Sequence, residues 1–278
     1  MIEKLRLGIT GANSNLGRLI AHRINAENFD LSLFSSSPNS NQFQFDLDRE
    51  VDLHRLSECN IIVHCARPYP SDTVKTQKEL EILDYLCERR IRIVNISSVS
   101  GFLDEKNAYG AHKRAIYDWA EKNAQTNLLS GLIFGHDFKG QIFKLSRALR
   151  LTLVKPVFVG EFETYLTPVE LILDSLRAII LNEDYRSQAL ICKNPMSTNR
   201  FLENIAGNTS IELRMDPRKI SKLLKFLPST SYFNEDSFLG LVGRYKEIKQ
   251  TEMNFTKDWI IDRAWIDYCN SNSTPSAR

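Results

Sequence analysis

The stretch "LRLGITGANSNLGRLI", residues 5–20, decides the fold. "LRLGIT" reads as a buried strand. "NLGRLIAHRINA" reads as a helix, with Leu16, Leu19, Ile20 and Ile24 on one face. Between them lies a turn bearing Gly11 and Gly17, with Gly8 just before it. Glycines in such a turn let the backbone approach a pyrophosphate, which then sits on the helix N-terminus. An ordinary strand-to-helix turn uses the same residue types, so the rest of the chain has to supply the context.

Outward from this unit the same rhythm continues. "LSLFSSS" (31–37), "NQFQFDLD" (41–48), "CNIIVHCA" (59–66), "IRIVNISS" (91–98) and "NLLSGLIFG" (127–135) read as strands. "EVDLHRLSE" is a helical turn, and "TVKTQKELEILDYLCERR" and "NAYGAHKRAIYDWAEKNA" are long helices between strands. Alternation of this kind implies an α/β fold, a doubly wound parallel sheet of the Rossmann type with helices on both faces. After Gly135 the rhythm loosens. "QIFKLSRALRL", "PVELILDSLRAIIL", "TNRFLENIAG" and "PRKISKLLKFL" read as helices, the last starting at Pro217. "KPVFVG" and "SQALICKN" read as short strands, and "KDWIIDRAWIDYC" as a final amphipathic helix holding Trp259 and Trp265. The expected division is a dinucleotide-binding core over 1–135 and a small, mainly substrate-binding region over 136–269. Residues 163–195 partly return to the core, and 270–278 form a polar tail.

Composition narrows the class. The 278 residues are 42% hydrophobic and 25% charged, as in soluble globular proteins, and the net charge is +2. No broad basic field for nucleic acid is expected, and no apolar run approaches the ~20 residues that span a bilayer. The N-terminus shows no signal-peptide pattern. Five scattered cysteines, Cys59, Cys65, Cys87, Cys192 and Cys269, form no C-x-x-C pair. They read as reduced thiols in a cytoplasm, with no metal site expected.

"AYGAHKRA", residues 108–115, places Tyr109 and Lys113 four residues apart. On a helix the two share a face. A nearby cation favours phenolate over phenol, which suits a tyrosine to proton transfer.

In this context "TGANSNLG" resembles the glycine-rich turn of the short-chain dehydrogenases/reductases, in particular the extended branch of nucleotide-sugar epimerases, dehydratases and reductases. Gly11 and Gly17 match the first and last glycines, and Ser14 stands where the middle glycine is usual. Further matches follow in order. "FDLD" resembles the acidic turn whose aspartate contacts adenine, here Asp46 with Leu47. "IIVHCAR" resembles the strand end lying along the cofactor, here Cys65, Ala66 and Arg67. "IVNISSVSG" resembles the strand of the catalytic serine, here Ser98 with Ile96 behind it, and Ser97 as the alternate. "YGAHK" resembles the Y-x-x-x-K motif, and "LLSGLIFG" the strand beside the nicotinamide, with Ile133 and Phe134 near the ring. The resemblance covers about residues 5–135. It implies Ser98, Tyr109 and Lys113 as the catalytic set. It implies cofactor contacts from Gly8, Gly11, Asn13, Ser14, Asn15, Leu16, Gly17, Ser35, Ser36 and the residues just named.

An acid at the end of the second strand binds the ribose diol of NAD and repels a 2′-phosphate. This chain has Ser35, Ser36 and Ser37 there, with Arg18 in reach, which favours NADP(H) over NAD(H). Arg67 ends a cofactor-side strand and could meet an anion. Family dehydratases carry an Asp-Glu pair after the serine, where Val99 and Ser100 stand here, so dehydration is disfavoured. The expected activity is reduction of a keto group on a nucleotide sugar or similar anionic small molecule. The alternatives are a nucleotide-sugar epimerase with tightly bound NAD and a cofactor-binding regulator without turnover. Lys139, Lys144, Arg147 and Arg150 either bind a diphosphate or form a solvated face. A small-molecule substrate is the expected partner, with a homodimer as the candidate assembly, and no nucleic acid or membrane is expected.

Overall fold

The computed structural model describes residues 4–24, 29–68, 71–103, 107–152, 154–182, 184–191, 195–206, 211–217, 254–255 and 265–269. The expected helix over 217–227, beyond Pro217 itself, lies outside them, as do Trp259, Cys192 and the tail.

The first half alternates strictly. Its elements are β1 (Leu5–Thr10), α1 (Asn15–Arg23), β2 (Phe29–Ser35), β3 (Phe43–Gln44), α2 (Leu53–Ser57), β4 (Ile61–His64), α3 (Thr73–Glu88), β5 (Arg92–Ser98), a 3₁₀ turn (Val99–Phe102), α4 (Ala108–Lys122) and β6 (Thr126–Ser130). The second half holds β7 (Leu132–Phe134), α5 (Gln141–Thr152), β8 (Val154–Phe158), β9 (Glu163–Thr164), β10 (Leu166–Pro168), α6 (Val169–Asn182), β11 (Gln188–Leu190), β12 (Met196–Ser197), α7 (Thr198–Ala206), β13 (Ile211–Met215) and β14 (Asn254–Phe255).

Among the described residues, eight strands make one sheet in the order β14-β11-β6-β5-β4-β1-β2-β3. Every neighbouring pair in it is parallel. The order reverses between β1 and β4, and a crevice opens beyond the carboxyl ends of strands at such a switch point.

Both faces of the sheet are covered, so its strands are apolar on both sides. On one face Ile61 and Val63 join Leu7, Ile9 and Ile96. They pack against Ile20 of α1 and against Leu171, Ile172, Leu176 and Ile179 of α6. Ile62 points the other way, with Phe34 and Ile93. These meet Ile82, Leu83 and Leu86 of α3 and Ile116, Trp119 and Ala120 of α4. Each fully buried Leu or Ile contributes about 1.5–3 kcal/mol by leaving water. A separate cluster joins Phe134, Ile142, Phe158, Phe201, Leu202, Ile205 and Trp265.

Three expectations change in detail. "NLLSGLIFG" is two strands, broken at Gly131, where a Cβ would lie 2.2 Å from the Tyr165 carbonyl oxygen. "NQFQFDLD" contributes only Phe43–Gln44 to the sheet. Its acids turn the chain instead, with the Asp48 N–H donating to Asp46 Oδ1 at 3.0 Å. "IELRM" (211–215), not foreseen as a strand, pairs in parallel with β8. The α6 helix follows β10, which pairs with β7, and β11 adds to the sheet beside β6.

Candidate active site

The turn after β1 is held by its own packing. Gly11 has φ +67°, and a Cβ on it would lie 2.8 Å from the Ala66 nitrogen. A Cβ on Gly17 would lie 2.3 Å from the Gly11 carbonyl oxygen. Both positions therefore require glycine: the turn folds onto itself and onto the chain leaving β4. Ser14, in place of the usual middle glycine, is the N-cap of α1, and its Oγ accepts from the Gly17 N–H at 2.9 Å. Asn13 Nδ2 donates to the Ser37 carbonyl at 2.8 Å, and its Oδ1 accepts from Gln42 at 2.9 Å. Asn15 donates to the Lys139 carbonyl at 2.9 Å.

Beside this turn lies a cavity of about 650 Å³. It is bordered by Gly11, Asn13, Ser14, Ser35, Ser36, Asp46, Leu47, Cys65, Ala66 and Arg67, all expected from the sequence. That volume is in the range of cofactor sites. Its floor combines a helix N-terminus, small residues and polar side chains, which fits a dinucleotide phosphate-binding cleft. Arg49 and Lys75 also border it and were missed. Lys75 lies in the first turn of α3, capped by Asp72, and its ammonium is 2.8 Å from Asp48. The signal was available: a helix beginning just after a strand's carboxyl end opens on the same crevice.

Other expected contacts lie elsewhere. Gly8 is in mid-strand beneath Cys59, whose Sγ would be 2.9 Å from a Cβ there. Leu16 and Ile133 pack against the main core. Phe134 is buried against Trp265, ring centroids 5.1 Å apart, so its side chain does not border the cleft. Arg18 reaches Asn15 at 3.4 Å, not the serines after β2. Lys139, Lys144, Arg147 and Arg150 do not border the cavity. Arg150 Nε donates to the Ile205 carbonyl at 3.2 Å, tying α5 to α7.

The catalytic candidates come from β5 and α4. Ser98 ends β5, and its Oγ accepts from the Ser100 N–H at 3.2 Å, so its own proton remains to donate. Tyr109 is half-buried in the first turn of α4, with the Arg67 guanidinium 5.0 Å from its ring centroid. Lys113, one turn on, is buried, and its Nζ donates to the Ile96 carbonyl at 3.0 Å. Ser97 is buried on the opposite face of the strand.

Two glycines bring these elements together and were not singled out by sequence. A Cβ on Gly110 would lie 2.4 Å from the Ser100 carbonyl oxygen, and one on Gly101 3.1 Å from the Arg114 nitrogen. The α4 N-terminus thereby approaches the Ser98–Ser100 turn, and Asn107 caps it through the Gly110 N–H. Burial pushes the Cys65 thiol up to about 12, so it is no nucleophile at neutral pH. Burial pushes the His112 imidazole down to about 4.

No protein-family model and no curated protein matches the sequence. Solved structures do. The dTDP-4-dehydrorhamnose reductase of Clostridium acetobutylicum matches at TM-score 0.63 and 14% identity, over 97% of this chain and 100% of that one. The enzyme of that name from Bacillus anthracis, solved with NADP, matches at 0.62 and 14%, over 98% and 100%. A UDP-N-acetylglucosamine 4-epimerase from Methanobrevibacter ruminantium, in complex with UDP-N-acetylmuramic acid, matches at 0.62 and 12%, over 97% and 98%. Among the described residues no helix is long and apolar enough to cross a membrane. The chain shares the fold of these reductase and epimerase structures.

Proposed function

We propose that the protein is an NAD(P)-dependent oxidoreductase of the extended short-chain dehydrogenase/reductase type, reducing a keto group on a nucleotide sugar or similar anionic small molecule. The observation that carries this reading is the packing of the α4 N-terminus, the helix that bears Tyr109 and Lys113, on the turn after β5, held by the Lys113–Ile96 hydrogen bond and the close approach of Gly110 to the Ser100 carbonyl.

A bound nicotinamide supplies the hydride. Tyr109 donates the proton that turns the substrate's carbonyl oxygen into a hydroxyl. Lys113 supplies a fixed positive charge one turn away, favouring the phenolate left behind. Ser98, its Oγ already accepting from Ser100, donates its proton to the same substrate oxygen. The turn from Gly11 to Gly17 and the N-terminus of α1 hold the pyrophosphate. Ser36 and Ser37, with no carboxylate beside them in the sequence, favour a 2′-phosphate and hence NADP(H).

The test is to incubate the purified protein with a panel of 4-keto nucleotide sugars and follow NADPH absorbance. Consumption with one member is the expected result. Sugar interconversion without net cofactor change would replace the reductase reading by an epimerase. Cofactor binding without either would leave a regulator.

A further inference from the structure

Behind the candidate active site lies a polar chain that the proposed chemistry does not use. His64, Glu79 and His112 come from β4, α3 and α4, and each is at most 2% exposed. His64 Nδ1 is 2.9 Å from Thr10 Oγ1, and its Nε2 is 2.7 Å from Glu79 Oε1. The other carboxylate oxygen, Glu79 Oε2, is 3.5 Å from His112 Nε2. His112 Nδ1 is 3.1 Å from Thr76 Oγ1.

Proton counting fixes most of the chain. Thr76 gives its hydroxyl proton to the Asp72 carbonyl at 2.7 Å, so it accepts from His112 Nδ1–H. A neutral His112 then turns the Nε2 lone pair toward Glu79 Oε2. Both of these atoms are buried and without a hydrogen-bond partner among the described residues. Two bare acceptors facing each other in a site closed to water are costly. One proton between them satisfies both and makes the group of three neutral overall.

We propose that Glu79 and His112 share one proton, carried on the Glu79 carboxyl and donated to the neutral His112 imidazole, and that the His64–Glu79–His112 chain is a positioning device locking the catalytic helix to the cofactor strand. Its ends support this. Thr10 Oγ1 accepts from the Ala66 N–H at 3.3 Å, at the cavity wall, and keeps its own proton for His64 Nδ1. His112 adjoins Lys113 and lies one turn beyond Tyr109. The titratable groups facing His112 are Glu79 of α3, His64 of β4, Arg67 after it, and Lys113 of α4. Lys75 and Lys78 turn away, to Asp48 and the Leu47 carbonyl. The catalytic part rests on the proposed function; the shared proton does not.

The test compares the full chain with Glu79→Gln. The amide oxygen accepts from His64 as Oε1 does, and the amide N–H donates to His112 Nε2 as the shared proton does. Unfolded, the three wild-type groups carry no proton above their ordinary range, near pH 6.5 for histidine. The folded chain carries one. Wild type should therefore lose stability relative to Glu79→Gln as pH rises above about 6.5, approaching tenfold in the folding equilibrium constant per pH unit until the shared proton leaves. Glu79→Gln should keep NADPH affinity, and Glu79→Leu should weaken it at least tenfold. A pH-independent stability difference above pH 6.5, read by urea unfolding, would overturn the shared proton. So would failure of Glu79→Gln to fold, since it reproduces both hydrogen bonds. Equal NADPH affinity in all three proteins would overturn the positioning role. If no protein binds NADPH while the stability slope appears, the proposed function fails and the shared proton stands.

Discussion

Lys113 Nζ donates to the Ile96 carbonyl across 3.0 Å, joining residues seventeen apart in sequence. The bond ties α4 to β5 two residues before Ser98. An ammonium has three donors, so two remain for a ligand after this tether. The lysine is thus both a strut and a charge.

Separate substitutions divide these roles. Tyr109→Phe removes only the phenolic proton, and turnover should fall about 10²–10⁴-fold with NADPH binding unchanged. Lys113→Met removes strut and charge together, so turnover, NADPH affinity and melting temperature should all fall. Steady-state kinetics, fluorescence titration and thermal unfolding check this. Turnover within a few-fold of wild type in Tyr109→Phe rules the tyrosine out as the acid.

Gly17→Ala tests the turn. A Cβ would lie 2.3 Å from the Gly11 carbonyl oxygen and 2.9 Å from its carbon. These are backbone atoms and cannot swing aside, so the turn must open. We expect a loss of about 1–3 kcal/mol in stability and a large drop in NADPH affinity. A variant with unchanged melting temperature and affinity would contradict the packing.

The first half of the fold was legible because its signals are local. Apolar strands, helical periodicity and the glycine turn each lie within a dozen residues. Phe134 shows where that stops. Its motif position suggested the cleft, but Trp265, far along the chain, takes its ring into a second cluster. Gly110 is the opposite case. It sits inside the motif, yet its reason is the Ser100 carbonyl across a loop. The His64–Glu79–His112 chain leaves no trace in sequence spacing, because Glu79, which faces both histidines, is on a helix whose register no motif reveals.

The cofactor preference can be tested where β2 ends. Ser35 is buried, and its Oγ accepts from the Ser37 N–H at 3.3 Å, so it shapes the loop. Ser36 and Ser37 are exposed beside the cavity. The cavity border carries Asp46 and Asp48 against Arg49, Arg67 and Lys75, two acids against three cations. An added phosphate suits this balance, and an added carboxylate after β2 would oppose it. Ser36→Asp should weaken NADPH at least tenfold while leaving NADH equal or tighter, because the acid repels a 2′-phosphate and can accept from a ribose diol. The effect should shrink at high salt, since the site is open to solvent. Calorimetric titration of wild type and variant with both reduced cofactors reads the outcome. A wild type that prefers NADH, or a variant that weakens both cofactors equally, would reverse the assignment of this loop to phosphate recognition.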